Sequence, residues 1–275
     1  MSEAICPSVG RGVLHLFCKP TPLFDGEALV SAVKDSQAAG VQVVTVSVLG
    51  HKADVAVMAM HEDFTLLRAL QSGVQRAGLE VVDSYVSLTE VSEYTKGMPE
   101  EHLKARLYPE IPPKAHHMPA WCFYPMSKKR DVSANWFTRP YDERSELMRE
   151  HGSSGRKFAG RVVQYVTGST GLDDYEWGVT LFAVRPDDLK EVVYTMRFDE
   201  ASAVYAEFGA FYVGMVTPVA ELVHLAEGRA IGKVGLMRGA VLRGELGIVG
   251  KPLLHLAHEP RALERPQRRR RTRSG

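Results

Sequence analysis

The sequence predicts an α+β fold in which one βαββαβ unit is used twice within 275 residues. Three observations point there. Strand-like and helix-like segments follow one order in both halves. The central hairpins resemble each other, VLGHKADVAVMAM in the first half and STGLDDYEWGVTLFAV in the second. Corresponding segments lie roughly 110–120 residues apart, as an internal duplication requires.

In the first half, Gly12–Phe17 (GVLHLF) reads as a strand and Glu27–Ala39 has helical spacing. Val41–Val48 (VQVVTVSV) alternates as a strand should, and Asp54–Met60 (DVAVMAM) completes the hairpin, with His51 in its turn. Glu62–Ala77 brings Phe64, Leu67, Leu70 and Val74 onto one face of an amphipathic helix. Leu79–Leu88 alternates again. In the second half, Trp121–Tyr124 is strand-like, and Pro125 is expected to end that strand. Asp142–Glu150 is helical, closing at His151. Arg161–Thr167 and Trp177–Val184 are strands, and Asp187–Met196 is a helix started by Pro186 and Asp187. Ala203–Val213 is rich in aromatic and β-branched residues and reads as the last strand. Two ferredoxin-like units, with their antiparallel sheets packed or closed on each other, would form a dimeric α+β barrel. The expected divisions are 1–95 for the first repeat, 96–120 for a connection, 121–216 for the second repeat and 217–275 for an extension. That extension begins with a short helix, Val219–Ala226, assigns nothing over 228–260, and ends in an Arg-rich tail that reads as disordered. The connection carries Pro109, Pro112, Pro113 and Pro119 and is long enough to be functional.

Net charge is +1, yet Arg261–Gly275 holds seven Arg and one Glu, or +6, which leaves the body at about −5. An acidic body lacks the basic face that phosphate neutralisation needs, so nucleic acid is not an expected partner. Cys6, Cys18 and Cys122 fit free thiols in a reducing cytoplasm, and no Cys-x-x-Cys-His motif provides covalent haem attachment. The N-terminus does not read as a signal peptide, and no apolar run approaches the length of a membrane span.

Several residues could carry chemistry. His151 could answer a helix dipole or ligate iron. In CFYPMSKKR, the Tyr124 phenol and the Lys128 ammonium could hold a carboxylate, or be a packed Tyr and a solvated Lys. Arg197 and Ser202, in MRFDEASAVYAEFG, offer a bidentate fork and a hydroxyl, although Arg197 could equally pair with Asp199 or Glu200 at the surface. Gln164 points away from Val163 and Tyr165 and could meet a ligand or a backbone group. His116 and His117 read as loop residues.

Taken together, YPMSKKR, NWF, EHGSSGRKFAGRVVQ, GLDDYEWGV and MRFDEASAVYAEFGAFYVG resemble the coproheme decarboxylase branch of the chlorite-dismutase family over roughly 106–214. VLGHKADVAVM matches it more loosely. The resemblance implies that His151 is the proximal iron ligand and Tyr124 the redox-active tyrosine beside a reactive propionate. It implies that Lys128 holds the neighbouring propionate, that Pro125, Met126 and Ser127 form the loop between them, and that Gln164 lies on the distal side. Arg106, Arg197 and Ser202 would anchor other propionates, and Trp136 would line the porphyrin pocket, with Phe137 where many relatives have Tyr. Iron coproporphyrin III would be both substrate and redox cofactor, and haem b the product of a peroxide-driven decarboxylation of two propionates through a tyrosyl radical. That is the last step of coproporphyrin-dependent haem synthesis. Chlorite dismutases place Arg at the distal position, so neutral Gln164 argues against chlorite. A distal His from the connection would be His116 or His117. Rival readings are a haem peroxidase or weak chlorite dismutase, and a non-enzymatic haem-binding or sensor protein. The resemblance further implies a homo-oligomer, usually a pentamer, and transient contact with a coproporphyrin ferrochelatase.

Overall fold

A computed structural model describes residues 4–95, 97–114 and 117–226. His116, the segment 228–260 and the Arg-rich tail therefore lie outside the described residues.

The first half runs β1 (Gly12–Pro20), α1 (Gly26–Ala38), β2 (Gln42–Leu49), β3 (Val55–His61), α2 (Phe64–Arg76) and β4 (Leu79–Thr89). The helices begin where the chemistry requires. Asp25 accepts from the Ala28 amide at the start of α1, and Asp63 accepts from the Thr65 amide at the start of α2. The connection contains a 3-10 turn (Glu93–Thr95) and α3 (Glu100–Leu107). The second half runs β5 (Ala120–Lys128), a short hairpin of β6 (Arg130–Asp131) and β7 (Ala134–Asn135), a 3-10 turn (Trp136–Thr138) and α4 (Tyr141–Arg156). It continues with β8 (Val162–Gly168), β9 (Trp177–Ala183), α5 (Pro186–Met196), α6 (Glu200–Ala203), β10 (Ala206–Phe208), β11 (Tyr212–Val216) and α7 (Val219–Ala226).

The strands form one antiparallel sheet in the order β10-β5-β11-β2-β3-β1-β4-β8-β9, and β9 pairs back with β5. The sheet therefore closes on itself. Each half keeps the same internal order: β4-β1-β3-β2 in the first, β10/β11-β5-β9-β8 in the second. Two seams join the halves, β11 on β2 and β4 on β8. Alternation sorts the core. Val13, Phe17, Met58, Trp121, Phe123, Phe182 and Tyr212 pack together inside the barrel. Leu14, Leu16 and Val57 face outward under α1, α2 and α7. Cys122, Tyr124, Val179 and Leu181 face outward on the other half, with Leu189 and Val192 of α5 and Phe158 among them.

Four expectations need correction. β5 does not stop before Pro125 but continues to Lys128. On one side β5 pairs with β11 up to Phe123 and with β10 only from Met126, so the missing proline N–H falls where one partner gives way to the next. α4 does not end at His151; it runs through Gly152 and Gly155 to Arg156. Glycine disfavours a helix interior by about 1 kcal/mol, yet α4 continues through both glycines, with Met196 at ordinary van der Waals distance from Gly155. The expected single strand over Ala203–Val213 is instead the end of α6, then β10, then a break before β11. The connection 90–119 is no plain loop, since it holds the 3-10 turn and α3.

Gly214 lies in the β11–β2 seam, where an added Cβ would collide with the carbonyl oxygen of Ser47. Gly214→Ala should destabilise the barrel by about 1–3 kcal/mol. The urea midpoint should fall while the slope of the unfolding transition stays constant.

Candidate active site

The outer face of the second-half sheet is only partly covered by α5. Between the uncovered part, α4 and the connection lies a cleft of about 1160 Å3, larger than the roughly 300–1,000 Å3 usual for small ligands. Tyr124, Met126 and Lys128 enter it from alternate positions of β5, and Gln164 and Val166 do the same from β8. Trp177 and Val179 enter from β9, His151 and Met148 from α4, and Trp136 from the 3-10 turn. Arg106 lines it from the last turn of α3, and Arg197 and Ser202 line it beyond α5.

The structure thus brings Arg106, Tyr124, Met126, Lys128, Trp136, His151, Gln164, Arg197 and Ser202 to one cleft. Pro125 and Ser127 are not among its lining residues. They lie in the strand rather than in a loop, and the two-residue period turns them away from the Tyr124 face. Ser127 Oγ instead accepts from the Glu176 amide at 3.2 Å. His117, also described, does not line the cleft.

His151 is oriented by the carboxylate of the residue that precedes α6. Its Nδ1 lies 3.1 Å from Oδ2 of buried Asp199, whose Oδ1 accepts from Ser154 Oγ at 2.7 Å. Asp199 is therefore not a surface mate of Arg197. With Nδ1 held by a carboxylate, Nε2 keeps its lone pair for a metal. Burial lowers the His151 pKa, the positive charge of Lys128 lowers it further, and Asp199 opposes both. The ring is accordingly neutral near pH 7, the form that ligates iron.

Tyr124 is 7% exposed, stacked on Phe211 with ring centroids 4.4 Å apart and edge-on to Phe208 at 5.6 Å. Burial pushes its phenol well above the ordinary value, so the group keeps its hydrogen. Lys128 is equally buried; its Nζ donates to the Ala201 carbonyl and lies 4.4 Å from the centre of the Trp136 ring. Burial takes its pKa from 10.5 down to about 8, against the pull of Glu176.

Arg156 also lines the cleft and was not singled out from the sequence. The signal was present: Arg156 lies five residues after His151, which is less than one and a half helical turns. The connection is fastened over α4, because Tyr141 Oη donates to the Glu93 carbonyl at 3.0 Å and Arg144 donates to Glu93 Oε1 at 3.0 Å.

A large cleft with apolar walls, one half-buried imidazole with a free Nε2 and several cationic side chains suits an iron macrocycle bearing carboxylates. Metal and macrocycle would be held by different groups, iron by His151 and carboxylates by Lys128 and the arginines.

Comparison with known proteins gives the same direction. The family model described as Chlorite dismutase matches residues 25–217. The chain is 44% identical over 184 residues to the coproheme decarboxylase of Staphylococcus carnosus, covering 62% of this chain and 72% of that protein. It is 43% identical over 240 residues to a longer Haloquadratum walsbyi protein with a provisional heme-binding name, covering 82% of this chain but 42% of that protein. The solved structure of a heme-binding protein from Thermus thermophilus superposes with a TM-score of 0.70 at 33% identity, covering 82% of this chain and all of that one (100%).

Keeping Lys128 charged opposes folding. Its folded pKa lies below the unfolded value, so the cost is present in full below pH 8 and is relieved as pH rises from about 8 to 10.5. Lys128→Met should therefore raise the stability of the ligand-free protein at pH 7 by about 1–2 kcal/mol after loss of the hydrogen bond and ring contact. Calorimetry should show that gain shrinking above pH 8.

Proposed function

The chain belongs to the chlorite dismutase family, and from that premise we propose that it is a hydrogen peroxide-dependent coproheme decarboxylase. One observation carries the reading: the cleft that holds an imidazole oriented for iron also holds a buried, neutral tyrosine and a buried ammonium two turns of strand apart, Tyr124 and Lys128. The substrate would be iron coproporphyrin III and the product haem b. The second repeat, 121–216, is the haem-binding half, and the connection 96–120 adds Arg106.

With peroxide, the bound iron supplies the oxidising equivalents. The protein binds, orients and moves hydrogen. His151 holds the iron through Nε2. Lys128 receives one substrate carboxylate, and its desolvated charge makes that contact stronger than it would be in water. Arg106, Arg156, Arg197 and Ser202 are placed to anchor the remaining carboxylates. Trp136 and Met126 give the macrocycle apolar contact. Tyr124, as a tyrosyl radical, removes a hydrogen atom from the β-carbon of a propionate. Loss of carbon dioxide and a second electron leaves a vinyl group. Each cycle converts one propionate carboxylate, one hydrogen peroxide and one proton into vinyl, carbon dioxide and two waters, and two cycles give haem b. Positioning is the protein's largest contribution, since the reacting carbon must lie beside one particular phenol.

Gln164 disfavours the reaction for which the family is named. A neutral amide donates hydrogen bonds but cannot hold an oxychlorine anion by charge as an arginine does. No helix among the described residues is long and apolar enough to cross a membrane. A cytoplasmic homo-oligomer, pentameric by resemblance, that receives its substrate from a coproporphyrin ferrochelatase completes the reading.

Tyr124→Phe should bind coproheme with an unchanged Soret shift and form no vinyl groups. Titrated peroxide followed by mass spectrometry reads this directly. Normal turnover in that variant sinks the tyrosine's role, and bleaching without decarboxylation by the unaltered protein sinks the enzyme itself.

A further inference from the structure

We propose that Glu176 is a positioning residue for the decarboxylation: its buried carboxylate, held on the Lys128 backbone N–H, fixes the end of strand β5 and adds negative charge to the surroundings of the Lys128 ammonium. The inference rests on the reading of Lys128 as a carboxylate-binding group.

The geometry is specific. Glu176 is 5% exposed, and it immediately precedes β9. Its Oε2 accepts from the backbone N–H of Lys128 at 2.8 Å, and its Oε1 pairs with Arg130. Its own N–H lies 3.2 Å from the Met126 carbonyl and 3.2 Å from Ser127 Oγ. One residue therefore grips three successive positions, 126 to 128, at the point where β5 delivers its last side chain to the cleft. A buried carboxylate is costly unless it is paired and hydrogen-bonded, and here both oxygens are occupied.

The groups around the Lys128 side chain show why the charge matters. The Ala201 carbonyl of α6 accepts from Nζ, and the Trp136 ring lies beneath it. His151 of α4 bears on it electrostatically, with Asp199 bonded to Nδ1 of that ring. Glu176 is the carboxylate that favours the charged lysine, and Arg130, 63% exposed, tempers it from the solvent side. Burial works against the charge throughout. Glu176 thus acts through Lys128, without touching a substrate.

The test is a double-mutant cycle on coproheme affinity, read from the Soret band at pH 9, where Lys128 is only partly protonated. Glu176→Gln keeps an acceptor for the Lys128 amide and removes the charge, so binding should weaken by about three- to tenfold. Arg130→Gln, at an exposed position, releases the full Glu176 charge onto Lys128 and should tighten binding several-fold. It preserves the test if Glu176→Gln does not fold. Both effects should vanish when Lys128→Met is combined with either change. Effects that persist beside Lys128→Met, or affinities equal to that of the unaltered protein, overturn the role. Failure of the unaltered protein to bind coproheme would instead overturn the functional reading.

Discussion

The site depends on one strand serving two environments. β5 turns Trp121 and Phe123 into the barrel and Cys122, Tyr124, Met126 and Lys128 out of it. A shift of one residue would exchange the two sets, placing an ammonium in an aromatic interior and a tryptophan in the cleft. The pairing of β5 with β9 from Ala120–Ala183 to Met126–Trp177, together with β11 and β10 on its other side, makes that shift prohibitive. The inward aromatic packing is therefore what aims Tyr124. Phe123 and Trp121 do not line the cleft, but their burial fixes the phase of the strand.

Against this fixed frame, the cleft sets electrostatics against burial. Lys128 is charged where charge is disfavoured, and Tyr124 is neutral for the same physical reason. His151 stays neutral because burial and the Lys128 charge outweigh the attraction of Asp199. A low-dielectric wall thus selects different protonation states for three neighbouring groups. On the proposed reading, an incoming carboxylate would relieve this cost at Lys128, and part of the folding stability given up there would return as binding.

Much of the fold was legible in the sequence because the strands of a barrel alternate and its helices carry caps. The hairpin pair 48–60 and 169–184, with Pro186 at a helix start, is local chemistry. The misreadings came where distant residues decide. Pro125 looks like a stop until β10 and β11 are seen to divide its neighbour between them. His151 looks like a helix end because Gly152 and Gly155 follow it, yet α4 continues to Arg156. The same applies to the site. Single residues were ambiguous, and Asp199 was only one possible surface mate of Arg197, because nothing local shows that Ser154 and His151, at the far end of another helix, both reach it. Glu176 gave no signal, since its partners lie 46 and 48 residues away.

Fold and chemistry separate cleanly at Gln164. The barrel, the cleft and an oriented imidazole would serve any haem reaction, so none of them chooses among substrates. The choice lies in which charges line the walls. An anion bound to an iron on His151 would need a cation facing it, and Gln164, which β8 brings into the cleft, is a neutral amide. Carboxylates around a macrocycle would need cations in the walls, and Lys128, Arg106, Arg156 and Arg197 line the cleft. A small oxyanion would leave those four groups idle, whereas a porphyrin with four propionates would engage them. On the proposed reading, the distribution of charge, more than the presence of a histidine, is what would make the substrate's periphery the reacting part.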